Sequence, residues 1–257
     1  MRITKVLLHL CLIIILTVLT QVGGLIWLLA LLLSKKYQVK KRFIFPILYF
    51  VFNLIIIPSS AKLLGREQLP IFDEQLKPRN LVYPILFRNY VNPELKDLLM
   101  KASKETNIKI TYLDANFPFF DGFPLLPHLS HNDGKKIDLS FMYLDEYGIA
   151  TNKKPSISGY GVFSNSENNK TSKSCIDQGY WQYDYPKYLT FGTINKLSLN
   201  KNSTKQLIQK LLKSSKTEKL FIEPHLKQSL GLNNEMKIRF HGCRAVRHDD
   251  HIHLQIK

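Results

Sequence analysis

Five of the chain's eight histidines fall in two short segments, His128-Leu-Ser-His131-Asn-Asp-Gly134-Lys-Lys-Ile-Asp138 and His248-Asp-Asp-His251-Ile-His253, separated by about 110 residues. Imidazole and carboxylate are the side chains that take a borderline cation such as zinc while leaving a position for a reactive water. In the second segment, His251 and His253 sit two residues apart within Asp250 to Ile256, an alternating stretch that predicts a short strand with both rings on one face. One ring can then bind metal while the other reaches a water beside it. In the first segment, Gly134 predicts a tight turn three residues after His131, and Lys136 to Met142 predicts a strand carrying Asp138 on one face. That arrangement brings His131 and Asp138 toward one ion. Taken singly, each segment reads equally well as a polar loop or an exposed strand tip. Together they supply a His, an Asp and a second His, a three-ligand set with an open position, which is the pattern of a catalytic zinc.

The same residues, His131-x-x-Gly134-x-x-x-Asp138 preceded by His128 and Ser130, with His248-x-x-His251-x-His253, resemble the metal site of the penicillin-insensitive murein endopeptidases. The wider family of zinc peptidases around them includes D-alanyl-D-alanine carboxypeptidases and dipeptidases and hedgehog-like domains. The resemblance covers roughly residues 80 to 257 and takes in Glu218 to Leu230, which reads as a strand running into a short helix. It implies that His131, Asp138 and His253 are zinc ligands, that His251 is a general base, and that His248 and His128 orient water or substrate. The reaction it implies is hydrolysis of a peptide bond in peptidoglycan stem peptides or cross-links by a metal-activated water. At one position the chain departs: the endopeptidases carry a second Asp two residues before the metal Asp, where this chain has Lys136, a difference that bears on substrate choice. The competing class is a non-catalytic zinc domain that keeps its metal for stability or ligand binding. A dead site would tolerate loss of the base, so the presence of both His251 and His248 favours the enzyme.

The elements that must position these residues follow an N-terminal part of different character. Residues 1–61 contain no Asp or Glu, and Val6 to Leu33 is a run of 28 residues without a charge, longer than the ~20 apolar residues that cross a bilayer. A second apolar run, Phe43 to Ile57, contains Pro46 and makes a plausible span when extended to Ala61. The expected anchor is therefore one or two transmembrane helices over about 6–33 and 43–61, joined by a basic loop at 34–42. Five positive charges in Lys35 to Arg42 outnumber Arg2 and Lys5 and place that loop in the cytoplasm. Two spans put the N-terminus and everything after residue 61 outside the cytoplasmic membrane. A single first span with the N-terminus inside also puts the domain outside. The length of the run and the poor cleavage site at Gln21-Val-Gly-Gly24 favour an intact anchor over a removed signal peptide.

Of the net charge of +16, residues 1–61 hold seven Lys and Arg, which leaves +9 for the remainder. A basic exterior domain suits anionic surroundings such as phospholipid heads or an acidic wall polymer, although Lys-rich stretches such as Lys196 to Lys219 read mostly as solvated surface. No helix-turn-helix signal, RNA-binding aromatic motif or arginine stripe points to nucleic acid. Cys175 and Cys243 both fall in the exterior domain, where a disulfide is chemically allowed, and the sequence leaves their pairing open.

After a connecting stretch over 62–79, the 80–257 domain reads as α+β, a small antiparallel sheet with flanking helices forming a zinc peptidase domain. Pro93 to Lys104 predicts a helix with Asn92 as its cap and Leu95, Leu98, Leu99 and Ala102 on one face. Strands are predicted at Ile108–Asp114, Met236–Arg239 and His251–Ile256, and a second helix at Thr204–Leu212. Four phenylalanines between Asn116 and Pro127 read as packing under a loop, and Tyr147 to Tyr188 reads as a long polar-aromatic loop.

Overall fold

The computed structural model describes residues 2–164 and 169–257, so that four residues of the long Tyr147–Tyr188 stretch, 165–168, lie outside the described residues. The described part is a mixed α+β architecture. In chain order it begins with α1 (Arg2–Thr20), α2 (Gly23–Tyr37) and α3 (Lys41–Val51), which passes through a π-helical turn, Phe52–Ile56, into α4 (Ile57–Leu63). Then follow β1 (Glu67–Gln68), β2 (Leu76–Pro78), α5 (Val82–Ile85), β3 (Tyr90–Val91), α6 (Pro93–Thr106), β4 (Ile110–Tyr112) and β5 (Lys136–Ser140). Next come β6 (Tyr143–Leu144), β7 (Ala150–Thr151), α7 (Lys170–Asp177), α8 (Trp181–Asp184) and β8 (Ser198–Leu199). The chain closes with α9 (Lys201–Leu212), β9 (Thr217–Phe221), α10 (Pro224–Ser229), β10 (Ile238–Arg239) and β11 (His251–Ile256).

Two compact units are formed, one from Met1–Leu69, Leu81–Pro93 and Asp114–Lys136, the other from Pro70–Asn80, Glu94–Leu113 and Ile137–Lys257. In the first, two helical stretches, Ile3–Thr20 and Lys41–Leu63, are long and apolar enough to cross a membrane. The uncharged run Val6–Leu33, expected as one span, is two helices. Gln21 takes a left-handed φ of 65°, and the elbow satisfies its own backbone, with Gly23 N–H donating to Thr20 Oγ1 (2.7 Å) and Gln21 N–H to Thr17 O (2.7 Å). Gly24 lets the two helices meet closely, since a Cβ there would lie 2.1 Å from Thr17 Oγ1.

The second unit is built on a six-stranded sheet of order β10-β9-β11-β5-β4-β2. The expected antiparallel pairing holds for β9 with β11 and for β4 with β5, but the sheet is mixed, because β10 runs parallel to β9 and β2 parallel to β4. The β2 strand comes from the stretch expected to be a connection: Leu76 is buried and pairs with Ile110. A parallel pair needs a crossover, and α6 and α10 lie on the two crossovers. The apolar stripe of α6 buries Leu95, Leu99 and Ala102, and α9 buries Leu207, Ile208 and Leu211. A smaller antiparallel sheet has the order β7-β6-β8. Within the long stretch read as loop, α7 carries Cys175, which is bonded to Cys243 across 68 residues. Of the four phenylalanines, only Phe117 is buried, and Phe120 is exposed.

Candidate metal centre

The alternation of β11 turns His251 and His253 to one face, and the neighbouring strand in the sheet is β5, which carries Asp138. Adjacency in the sheet is thus what joins two motifs far apart in sequence. His253 Nδ1–H donates to Asp138 Oδ1 (2.9 Å), and Tyr160 Oη–H donates to Asp138 Oδ2 (2.7 Å). His251 Nε2 stands 3.6 Å from Asp138 Oδ1, and His251 Nδ1–H donates to Asp250 Oδ1. The other oxygen of Asp250 accepts from Gly161 N–H (2.6 Å), which fixes the carboxylate that in turn fixes the ring.

The loop before β5 turns at Gly134, as its spacing predicts. Its φ is +77°, and a Cβ would meet Asn92 Oδ1 at 2.3 Å and Arg66 Nε at 2.7 Å, so no other residue fits without movement. Asn116 Oδ1 accepts from Gly134 N–H (3.0 Å), while Gly134 O accepts from Asn92 N–H (2.8 Å). On this loop His131 Nδ1–H donates to Ala115 O (2.9 Å). Since a carbonyl can only accept, that bond sets the tautomer and leaves the lone pair on Nε2.

His131, Asp138 and His253 are all buried, and one ligand atom from each lies within 4.8 Å of the others. Such a group could hold a metal ion. Two imidazoles and a carboxylate are the donors a zinc ion takes, the His131 tautomer presents a lone pair, and the outer hydrogen bonds to Ala115 and Tyr160 are of the kind that steady metal ligands. The donor set therefore fits the expected cofactor.

Each remaining expected residue lies beside a member of this group in its own unit. The His248 ring lies 4.9 Å from that of His251 and 5.6 Å from that of His253. Its Nδ1 is buried without a hydrogen-bond partner among the described residues. Burial, reinforced by His251 and His253, holds its pKa well below the ordinary range, so it is a neutral imidazole. Burial also opposes a charge on His251, but Asp138 and Asp250 outweigh it and push its pKa up to about 9. The backbone of His248 is held by Glu223, whose Oε1 accepts its N–H (3.0 Å) and whose Oε2 accepts from Tyr183 Oη (2.7 Å). The His128 ring lies 5.5 Å from that of His131, and its Nδ1–H donates to Asp114 Oδ2 (2.9 Å).

Asp114 is gripped from its other side by Arg88, with Nε to Oδ1 at 2.6 Å and Nη2 to Oδ2 at 2.7 Å. Burial opposes ionisation of Asp114, but Arg88 and His128 overcome it and hold the carboxyl below its usual range. A depressed carboxyl adds stability that is complete above the unfolded Asp range and is lost as the pH falls through the folded value. Removing the guanidinium would strand a buried charge, so Arg88→Ala is expected to cost about 3–5 kcal/mol in urea unfolding at neutral pH. In acid, as Asp114 takes a proton, the difference from the wild type should shrink.

Sequence spacing identified six residues here but missed Asp250, Tyr160, Asp114, Arg88 and Glu223. Asp250 carried a signal, since it stands beside His251 in the second motif. Tyr160 sits in a segment with no pattern of its own and Glu223 at the junction of the expected strand and short helix, and only the fold brings them to the site. No protein-family model matches the chain, and no curated protein matches it.

Proposed function

We propose that this protein is a membrane-tethered zinc peptidase that hydrolyses a peptide bond in peptidoglycan stem peptides or cross-links on the outer side of the cytoplasmic membrane. The observation that carries it is the buried His131, Asp138 and His253 group with the His251–Asp250 pair beside it. A zinc ion bound there supplies a Lewis acid that acidifies water and polarises a carbonyl. With Asp138 engaged by a cation, Asp250 is the carboxylate left to hold His251 Nδ1–H and keep Nε2 as the proton acceptor. His251 would take a proton from the attacking water and return it to the departing amine. Neutral His248, backed by Glu223, and His128, backed by Asp114, are the groups placed to donate to a developing oxyanion. The basic loop at 35–42 supports the outward placement of the domain.

One observation favours the second reading, a non-catalytic zinc domain: His131, Asp138, His251 and His253 are all at most 3% exposed, as ligands of a closed structural site would be. Incubation of the purified full chain and zinc with isolated peptidoglycan separates the two. Shortened stem peptides or lost cross-linked dimers, identified by mass, are expected. Intact peptidoglycan beside a zinc-loaded protein would leave the binding role.

A further inference from the structure

Within the first unit, three aromatic rings set the directions of the N-terminal helices. His9 of α1, Trp27 of α2 and Phe45 of α3 lie in one layer, with centroids 5.8 Å and 5.1 Å apart, and Lys41 Nζ meets His9 Nε2 at 3.0 Å. The start of α1 and the start of α3 therefore share an end with the basic loop. The elbow after α1 lies at the other end, where Val22 and Ile26 pack with Ile57, Ala61, Phe87 and Tyr90, and Gln21 Oε1 accepts from Phe119 N–H (2.9 Å). The start of α1 thus lies on the side of the positive loop, whereas two spans were expected to put it on the opposite side.

From Phe43 to Ala61 the helical stretch bears no charge. At 1.5 Å per residue it is about 28 Å long, close to the ~30 Å of a bilayer's hydrocarbon layer. Tyr49 and Asn53 stand about 9 Å and 15 Å along it from Phe43, well inside that layer. Both reach sideways to α5. Tyr49 Oη–H donates to Ile85 O (2.7 Å), and Asn53 Nδ2 donates to Pro84 O (2.9 Å). The outward residues of this short helix are apolar: Leu81, Val82 and Ile85 are 51%, 49% and 51% exposed. The last carbonyls of a helix have no partner within it, and hydrocarbon offers none. Ile85 O takes its donors from Tyr49 and, at 3.3 Å, from Asn53, while Pro84 O accepts from Asn53 beside the Phe87 N–H (3.1 Å), so two polar side chains serve the end of α5 at the depth where water is absent.

We propose that α5 is a membrane wedge, with Leu81, Val82 and Ile85 set among the acyl chains at the depth of Tyr49 and Asn53. This rests on the membrane reading of the two apolar helical stretches. Three residues beyond Ile85, Arg88 grips Asp114 and through it His128, so a seated wedge ties that loop to the bilayer.

The test uses the full chain carrying Cys11→Ala, whose two other cysteines are bonded to each other, in vesicles of phosphatidylcholine and phosphatidylglycerol. Single cysteines replace Val82, Ile85, Ile47 or Gln38 and carry an environment-sensitive fluorophore, and the lipid carries a nitroxide midway down its acyl chain. Val82→Cys and Ile85→Cys are expected to be quenched as strongly as Ile47→Cys on α3, and far more than Gln38→Cys in the basic loop. Quenching at Ile47→Cys but at neither α5 position would overturn the wedge and leave the anchor standing. Absence of quenching at all four positions would overturn the anchor and the wedge together.

Discussion

His251→Ala is expected to keep its zinc and to lose peptide hydrolysis by about 100-fold or more, the scale of a missing general base. His251 stands outside the three-residue group that could hold a metal, with Nε2 3.6 Å from Asp138 and Nδ1 committed to Asp250. Removing it takes away a proton acceptor and leaves every proposed ligand in place. His253→Ala, two positions along the same strand, should instead lose both metal and activity. A general folding defect in β11 would affect the two variants alike, so a difference between them is chemical. Zinc content and turnover measured on both decide the matter. Unchanged turnover in His251→Ala would remove the base from the mechanism.

The second large effect concerns the ligands themselves. His131→Ala and Asp138→Ala should each reduce the bound zinc from about one per chain to background, because two remaining donors fall short of the three protein ligands such a site needs. Tyr160→Phe is a graded comparison. It removes only the hydroxyl that donates to Asp138 Oδ2, and loss of such an outer partner weakens metal binding by about 10- to 100-fold. Competition with a chelator reads all three variants on one scale. Equal zinc affinity across the wild type, Asp138→Ala and Tyr160→Phe would place the metal elsewhere.

What sequence could foretell depended on whether a local pattern existed. The alternation in His251–Ile256 and Lys136–Met142, the glycine at 134 and the stripe of Leu95, Leu98, Leu99 and Ala102 each follow a backbone period or a steric demand; the first strand and the glycine stand where they were expected, the second strand ends at Ser140, and Leu98 is only half-buried. Features resting on long-range contact left no such trace. The elbow at Gln21 interrupts an uncharged run with no proline, marked locally only by Gln21-Val-Gly-Gly24, and it is held by Phe119, nearly a hundred residues away. Leu76 reads as part of a proline-punctuated connection until its pairing with Ile110 makes it an edge of the sheet. The parallel pairings of β2 and β10 likewise depend on crossovers that the period of a single strand does not encode. At the site, the residues bearing the motifs were legible, whereas the carboxylates and hydroxyl that orient them were mostly not, because hydrogen bonds between distant segments have no sequence spacing.

The central claim is that the chain holds a metal through His131, Asp138 and His253. Elemental analysis of the purified full chain after extensive dialysis tests it most directly, and about one zinc per chain is expected, as for a single three-ligand site. A folded wild-type protein without metal after incubation with zinc would contradict it, as would a His131→Ala protein that still carries its full complement.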